Sequence, residues 1–402
     1  MKKIPLKIIN FYLFTILLII TPFLMLQNYL QNAIGRASRA AIEFEDFSIP
    51  YTVMIAVVVL ILFFYLSRKI LTRKRLLYLG LVLVFVAIGQ STSDYYFGHH
   101  FYDLQHNWHY IAYGIFSFVA FRRFSLKPLP VNKILFRIFI MALIISVFDE
   151  IIQVYISNRV FDLSDCGKDL WGNMAGILFV FFYLENGKGF PNFRLRNKKL
   201  KDYYSNPFSL LCLEIIFAYI FLFVASQITG EQYKFNVILI TLLFFMIAFI
   251  LVHIGRNKII RWIIRGGLLL FIIIVFIAAR FGDSGAKCIK PGYIKYNGLP
   301  LMYFDYMIFP NGGFRTVDKK VLFMLRDKQK IEDLGPDILL IGTGTKGQGG
   351  KGWSDNVATE MAYNSFKHEM YQIVKLPNRQ ACETFNRLKK QKKEVLFIIH
   401  NE

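Results

Sequence analysis

The sequence predicts an α-helical, polytopic membrane protein of about nine transmembrane helices with a C-terminal soluble α/β domain. Three observations lead there. The 402 residues are 55% hydrophobic and 17% aromatic, with 41 Phe and only 19% charged. Soluble domains reach roughly 45 to 50% apolar only with glycine counted in. Apolar stretches near the length needed to cross about 30 Å of hydrocarbon recur through the first 280 residues. From about Cys288 the composition turns to that of a soluble domain, with Gly, Asp, Lys and the turn pairs Asn297-Gly298 and Asn311-Gly312. The same composition excludes disorder and collagen-like architecture, and four Cys without a CxxC pair argue against a disulfide framework or a zinc ribbon.

The apolar stretches centre on residues 9–27, 50–67, 75–91, 108–122, 134–156, 168–184, 207–229, 235–254 and 260–280. The first is long and no small-x-small site follows it, so it reads as a retained helix, not a cleaved signal peptide. Between the first two, residues 28–50 carry both charge signs, and the segment Ile34 to Ile42 reads as a short interfacial helix. Four regions result: N-terminal helices over 1–74, a four-helix membrane domain over 75–185, further helices over 186–284 and a soluble domain over 285–402.

Lys and Arg number 48 against 27 acids, a formal charge of +21. On a soluble chain that would suggest nucleic acid, but here the charge follows the loops. Alternate loops hold about 22 basic residues, among them Lys2, Arg68, Arg122, Arg196 and Arg256, against 5 on the opposite side: Arg36, Arg39, Arg159, Lys168 and Lys234. The positive-inside rule then puts the N-terminus in the cytoplasm of a multi-pass cell-membrane protein and removes the need for a nucleic-acid partner. The ninth stretch has an uninterrupted apolar run of only about 14 residues, Gly266 to Ala279, extended by Ile259, Ile260, Trp262, Ile263 and Ile264. Nine crossings put residues 285–402 outside.

Residues 92 to 176 carry polar groups that lipid tolerates poorly. His106, His109 and Tyr113 are spaced i, i+3, i+7 on one face of the fourth helix. Asp149, Glu150 and Gln153 sit at the end of the fifth, and Arg159 follows in the loop. Asp165, Asp169, Gly172 and Gly176 then keep to one narrow stripe, two acids above a GxxxG-type contact. All reach the outward end of the bundle in this topology, and ionisable groups at membrane depth are default site candidates. A purely structural role stands beside this, with Glu150, Gln153 and Arg159 holding helix ends and Asp162 or Asp165 capping a helix.

His109-x3-Tyr113, Glu150-x2-Gln153, Arg159 and Asp165-x3-Asp169-x2-Gly172-x3-Gly176 together resemble the VanZ-like family of small helical membrane proteins, over about residues 75–185. The Asp-Lys often found just before the family's His is Gln105-His106 here. The resemblance implies a cell-envelope protein, and in the family's founding member an association with resistance to a glycopeptide, teicoplanin. Imidazole with carboxylates is a usable metal-ligand mixture, yet there is no HExxH or similar helical motif, so no metal and no cofactor are assigned. In the later helices Glu214 and His253 are the only buried-looking ionisable groups, and no chemistry is assigned to them.

From Asp337 the pattern reads strand (Ile338 to Ile341), Gly-rich loop, helix (Asp355 to Phe366), strand (Tyr371 to Leu376), helix (Arg379 to Lys390), strand (Val395 to His400), an α/β succession with parallel strands. Gly342-Thr343-Gly344-Thr345-Lys346-Gly347 formally fits GxGxxG, but the loop runs on to Trp353 and no acid ends the next strand, so a dinucleotide site is not expected. The segments Pro336 to Gly344, Ala381 to Leu388 and Val395 to Ile399 resemble a small α/β domain shared with a mitochondrial complex I assembly factor family, over about residues 290–402. That resemblance implies a protein partner and carries no catalytic residues.

Three functions are compatible with these readings. The first is a VanZ-like protein that binds or acts on a lipid-linked or peptide envelope component at the outer face. The second is a metal-dependent hydrolase or transferase of lipid-linked substrates using His109, Glu150 and Asp165 or Asp169. The third is a membrane-anchored scaffold whose soluble domain holds a protein partner.

Overall fold

The computed structural model describes residues 11–12, 14–16, 40–43, 48–94, 104–155, 161–188, 190, 192–228, 233–281, 285–302, 304–317, 328, 331–332, 334–344, 347, 349–352, 358–364 and 367–401. The chain divides into two compact units, residues 1–226 with 235–257, and residues 227–234 with 258–402. The helix over 258–281 groups with the C-terminal unit.

The first unit begins with a small hairpin of β1 (Ala41–Glu43) and β2 (Ser48–Pro50). Ala41 and Ile42 are therefore extended at the end of the segment expected as an interfacial helix, whose residues 34–39 lie outside the described residues. Pairing with Ile49 and Pro50 satisfies the backbone groups of Ala41 and Ile42. Helices α1 (Tyr51–Ser67), α2 (Arg73–Asp94), α3 (Leu104–Phe124), α4 (Val131–Gln153) and α5 (Leu163–Leu178) follow, and α5 runs on into a π-helical stretch, Phe179–Leu184. Short α6 (Lys201–Ser205) leads to α7 (Pro207–Gln227) and α8 (Lys234–Ile254). The expected first helix falls mostly outside the described residues. Eight of the nine expected stretches coincide with helices, counting α9 (Lys258–Phe281) of the second unit.

Among the described residues, three helices are long and apolar enough to cross a membrane, Arg73–Ser93, Pro207–Gln227 and Lys234–Ile254, and Tyr51–Ser67 is apolar but shorter. Helices α3, α4 and α5 are not among them, and α3 and α5 carry more polar residues than a lipid-facing helix, for a reason visible in the burial of these helices. They pack on each other, and the polar side chains that lower their hydropathy face inward. Asp149, Glu150 and Gln153 of α4 and Lys168, Asp169 and Asn173 of α5 are all buried. By contrast α2 and α8 leave most of their Leu, Ile, Val and Phe exposed.

The second unit holds a three-stranded antiparallel sheet and a six-stranded one. The first comprises β3 (Ala286–Lys290), β4 (Tyr293–Tyr296) and β5 (Leu299–Met302), in that order. The larger sheet has the order β7-β6-β11-β8-β10-β9, built from β6 (Asp305–Ile308), β7 (Phe314–Val317), β8 (Ile338–Gly342), β9 (Thr359–Asn364), β10 (Glu369–Leu376) and β11 (Val395–Ile399). Strands β11, β8 and β10 are parallel neighbours, and the outer pairings are antiparallel. Strands β8 and β11, Ile-Leu-Leu-Ile-Gly and Val-Leu-Phe-Ile-Ile, are buried along their whole length, as apolar runs covered on both faces must be. Helix α10 (Asn378–Lys390) makes the crossover from β10 to β11 and buries Ala381, Cys382 and Phe385. The Phe385 ring stacks on Phe397 at 5.1 Å and meets the edge of Tyr296 at 6.1 Å.

The expected helix Asp355 to Phe366 is corrected. Within it Thr359–Asn364 is a strand, antiparallel to β10. Its exposure alternates, with Met361 and Tyr363 outward, and His368 at φ 55° supports the tight turn back into β10. A period of 2 at a sheet edge beats the helical reading.

Candidate functional site

Helices α3 and α5 meet through glycine. A Cβ on Gly172 would lie 2.7 Å from the Cα of Tyr110, and one on Gly176 would lie 2.5 Å from the carbonyl oxygen of Gly114. Both neighbours are backbone and cannot swing aside, so α3 and α5 approach at a distance only glycine permits. Ser117 reinforces the contact, its Oγ lying 2.6 Å from Asn173 Oδ1 and 2.8 Å from the Asn173 carbonyl. On the other side of α5, Trp171 stacks flat on Phe85 of α2 at 3.8 Å, and its Nε1 donates to the Phe85 carbonyl at 2.9 Å.

This close contact positions the polar groups at one end of the three helices. His109 Nδ1 is 2.8 Å from Asp169 Oδ1, and its Nε2 is 3.7 Å from Asp165 Oδ1. Ser146 of α4 donates to the second oxygen of Asp169 at 2.6 Å, so this fully buried carboxylate is held from two helices. Lys168 reaches Asp165 Oδ1 at 3.0 Å. Glu150, also fully buried, accepts from Gln153 Nε2 at 2.7 Å and from the backbone N–H of Asp162 at 2.8 Å. Asp162 in turn caps α5 by accepting from Ser164 N at 2.8 Å. Gln153 also reaches Asp149 Oδ2 at 3.4 Å, and Asp149 Oδ1 is buried with no hydrogen-bond partner among the described residues. Tyr113 is buried one turn below His109, close to Ser146, Asp149 and Asp169.

Of the sequence candidates, His109, Tyr113, Glu150, Gln153, Asp165 and Asp169 are thus brought together, while Gly172 and Gly176 form the packing contact beneath. The side chain of His106 and the whole of Arg159 lie outside the described residues. Two members were missed, Ser146 and Lys168. Ser146, Asp149, Glu150 and Gln153 run i, i+3, i+4, i+7, one continuous face of α4, and that spacing was the available signal. Lys168 read as a loop charge, although Asp165 and Lys168 are an i, i+3 pair.

The set can offer and accept protons or bind a polar head group, since an imidazole, a lysine and four carboxyl groups face each other in a bundle that excludes lipid. Among the described residues, no three His, Cys, Asp or Glu are placed to hold a metal ion. Further along the chain, Glu214 of α7 is buried with neither carboxylate oxygen hydrogen-bonded among the described residues, and His253 Nδ1 lies 3.3 Å from the Tyr203 hydroxyl.

The second unit contains another buried ionic pair that the sequence did not disclose. His400 Nδ1 lies 2.7 Å from Asp305 Oδ2, and Asp305 Oδ1 accepts from Asn401 N at 2.8 Å. The pair clasps the ends of the adjacent strands β6 and β11. The Gly-rich loop closes over it. Asn378, which opens α10, accepts from Gly344 N at 3.1 Å and donates to the His400 carbonyl at 2.9 Å, and a Cβ on Gly349 would meet the His400 ring. Four glycines of this loop, 344, 347, 350 and 352, have positive φ, so it is a chain of turns with no helix start in its described part.

Cys288 and Cys382 lie near one another where β3 meets α10, and both are free thiols. Burial pushes the Cys382 thiol up to about 12, and partial burial raises Cys288 despite the opposing charge of Arg379. No protein-family model matches the chain, and comparison with curated proteins and with solved structures finds no match. The resemblances to the VanZ-like and assembly factor families therefore rest on the motif residues alone.

Proposed function

We propose that the chain is a VanZ-like membrane protein whose outward-facing polar cluster binds or acts on a lipid-linked or peptide component of the cell envelope. One observation carries this reading. Three consecutive helices deliver His109, Asp169, Asp165, Lys168, Ser146, Glu150 and Gln153 to the same end of one packed core. Burying carboxyl groups among membrane helices costs free energy that an apolar contact would not, and a merely structural bundle has cheaper ways to close.

In this reading the helices make nine crossings, the N-terminus lies in the cytoplasm, and residues 285–402 lie outside. The charge asymmetry of the loops supports that direction. A maleimide that cannot cross membranes, applied to intact cells after mild denaturation and reduction, should label Cys382. Labelling only after lysis would put the domain in the cytoplasm and change the count of crossings by one.

The functional test is susceptibility to glycopeptides, teicoplanin first, in cells expressing the wild type, Asp169→Asn and His109→Ala. Either variant should abolish any protection conferred by the wild type while accumulating to a similar level in the membrane. Full protection by both variants would exclude the cluster from the activity.

A further inference from the structure

The second unit holds a pair of thiols that the proposed function leaves idle. Asn386 of α10 grips β3 by both backbone groups of Ala286, its Oδ1 accepting from the N–H at 2.8 Å and its Nδ2 donating to the carbonyl at 2.7 Å. That clamp fixes a register. Cys382 stands one helical turn back from Asn386, roughly 6 Å along the axis at 1.5 Å per residue. Cys288 stands two residues on from Ala286, on the same side of the strand and roughly 6.8 Å along it. The steps match in length, so the clamp sets the two cysteines opposite one another, and the backbone N–H of Cys288 donates toward the Cys382 sulfur.

Both side chains belong to one apolar cluster, with Cys382 buried inside it and the partly exposed Cys288 packed against it. Cys288 Sγ lies 3.9 Å from the Lys290 carbonyl, across an irregularity in the pairing of β3 with β4 between these two residues. Such a bulge re-aims a side chain, and the Cys288 χ1 has other staggered wells to occupy. An open cleft of about 540 Å³, whose lining includes Cys288, Cys382, Lys295 and Arg379, admits a small reagent to this point. We infer that Cys288 and Cys382 are a redox-active pair, which closes into a disulfide between β3 and α10 by exchange with a small external disulfide. The Cys288 thiol gives its proton to solvent, and the thiolate attacks one sulfur of glutathione disulfide, expelling a glutathione thiolate. Cys382 loses its proton to that leaving group and attacks the Cys288 sulfur of the mixed disulfide, expelling a second glutathione thiolate that is protonated from solvent. Two protein thiols lose two electrons, and one glutathione disulfide becomes two glutathione thiols. The link closes a loop of roughly 90 residues, a constraint that acts chiefly on the unfolded chain. The pair lies wholly in the second unit, so it stands or falls apart from the helical cluster.

Disulfide mapping of the purified full chain in detergent provides the test. The protein is equilibrated in glutathione buffers from reduced to oxidised, alkylated with iodoacetamide, digested without reduction and read by mass spectrometry. In the oxidised buffer one peptide linking Cys288 to Cys382 should account for most of the protein, and dithiothreitol should return both thiols. Cys382→Ser should leave Cys288 holding glutathione as a mixed disulfide, and Cys288→Ser should give about tenfold less adduct at the buried Cys382. A link that forms only in denaturant, or separate glutathione adducts on both cysteines of the wild type, would overturn the pair. Adducts of equal yield in the two variants would overturn the order of attack. If either variant fails to fold, the wild-type map alone decides.

Discussion

The two units of this chain differ most in what they leave outside. In the helical unit α3, α4 and α5 bury Asp169, Glu150, Asn173, Ser117 and Ser146 beside Phe116, Leu135, Ile138 and Leu170, while Leu, Ile and Phe cover the outside of α2 and α8. In the C-terminal unit Leu340, Phe397, Ile399 and Phe385 fill the core, and Lys and Glu lie at the surface. The contrast between the two surfaces is the one expected of different solvents. Water makes apolar contact the scarce resource, so the sheet unit hides it. Hydrocarbon makes it free, so helix association has to come from close backbone packing and from hydrogen bonds.

The largest effect should come from the packing that replaces the hydrophobic drive. Gly176→Leu forces a side chain into the Gly114 backbone and should abolish accumulation of folded protein, measured by size-exclusion of a fluorescent fusion. Gly80→Leu, where a Cβ meets nothing within 4 Å, should behave as wild type. A monodisperse, wild-type yield of Gly176→Leu would show that α3 and α5 do not depend on that approach.

A sharper comparison uses two side chains of equal exposure. Leu243 in α8 is 54% exposed and Met361 on edge strand β9 is 56% exposed. Leu243→Asp should cost about 2.5 to 3.5 kcal/mol of membrane insertion, because α8 is long and apolar enough to cross a membrane and Leu243 lies on its exposed side. Met361→Asp should stay within about 0.5 kcal/mol, because the outside of β9 is water. Equal tolerance of the two, in glycosylation-reporter insertion and in thermal unfolding respectively, would erase the distinction between the units.

The smallest effect is a matter of thiol reactivity. With its thiol pushed up to about 12 by burial, Cys382 is almost wholly protonated at pH 8. It should therefore resist maleimide in the native protein and react once denaturant returns it to an ordinary value near 8.5. The half-exposed Cys288 should react first. Rapid native labelling of Cys382 would mean that the packing of α10 on β3 does not shield it.

These contrasts also explain what was legible in the sequence. Helices were readable because long apolar stretches have one meaning in a membrane, and the stripe Asp165, Asp169, Gly172, Gly176 was readable because spacing fixes a helix face. Strands β8, β10 and β11 were readable as short apolar runs. What escaped was set by partners distant in sequence. Thr359–Asn364 is a strand because β10 offers it an edge, and Lys168 turns inward because Asp165 is there to receive it. The pair of Asp305 and His400 joins residues 95 apart, and no local pattern announces it.

The π-helical stretch Phe179–Leu184 gives α5 a property of a different sort. Below it the rings take over from the polar stripe: Phe179 stacks on Tyr183 at 4.9 Å, and Phe121 meets Phe181 edge-on at 4.9 Å. A wide turn accommodates one residue more than the regular ladder needs. Loss of a single residue there would restore the regular ladder and rotate the lower rings by about 100°, while His109, Asp165 and Asp169 kept their places. Inheritance can therefore edit the ring-bearing half of this helix, in length as well as in sequence, without rewriting the half that carries the charges.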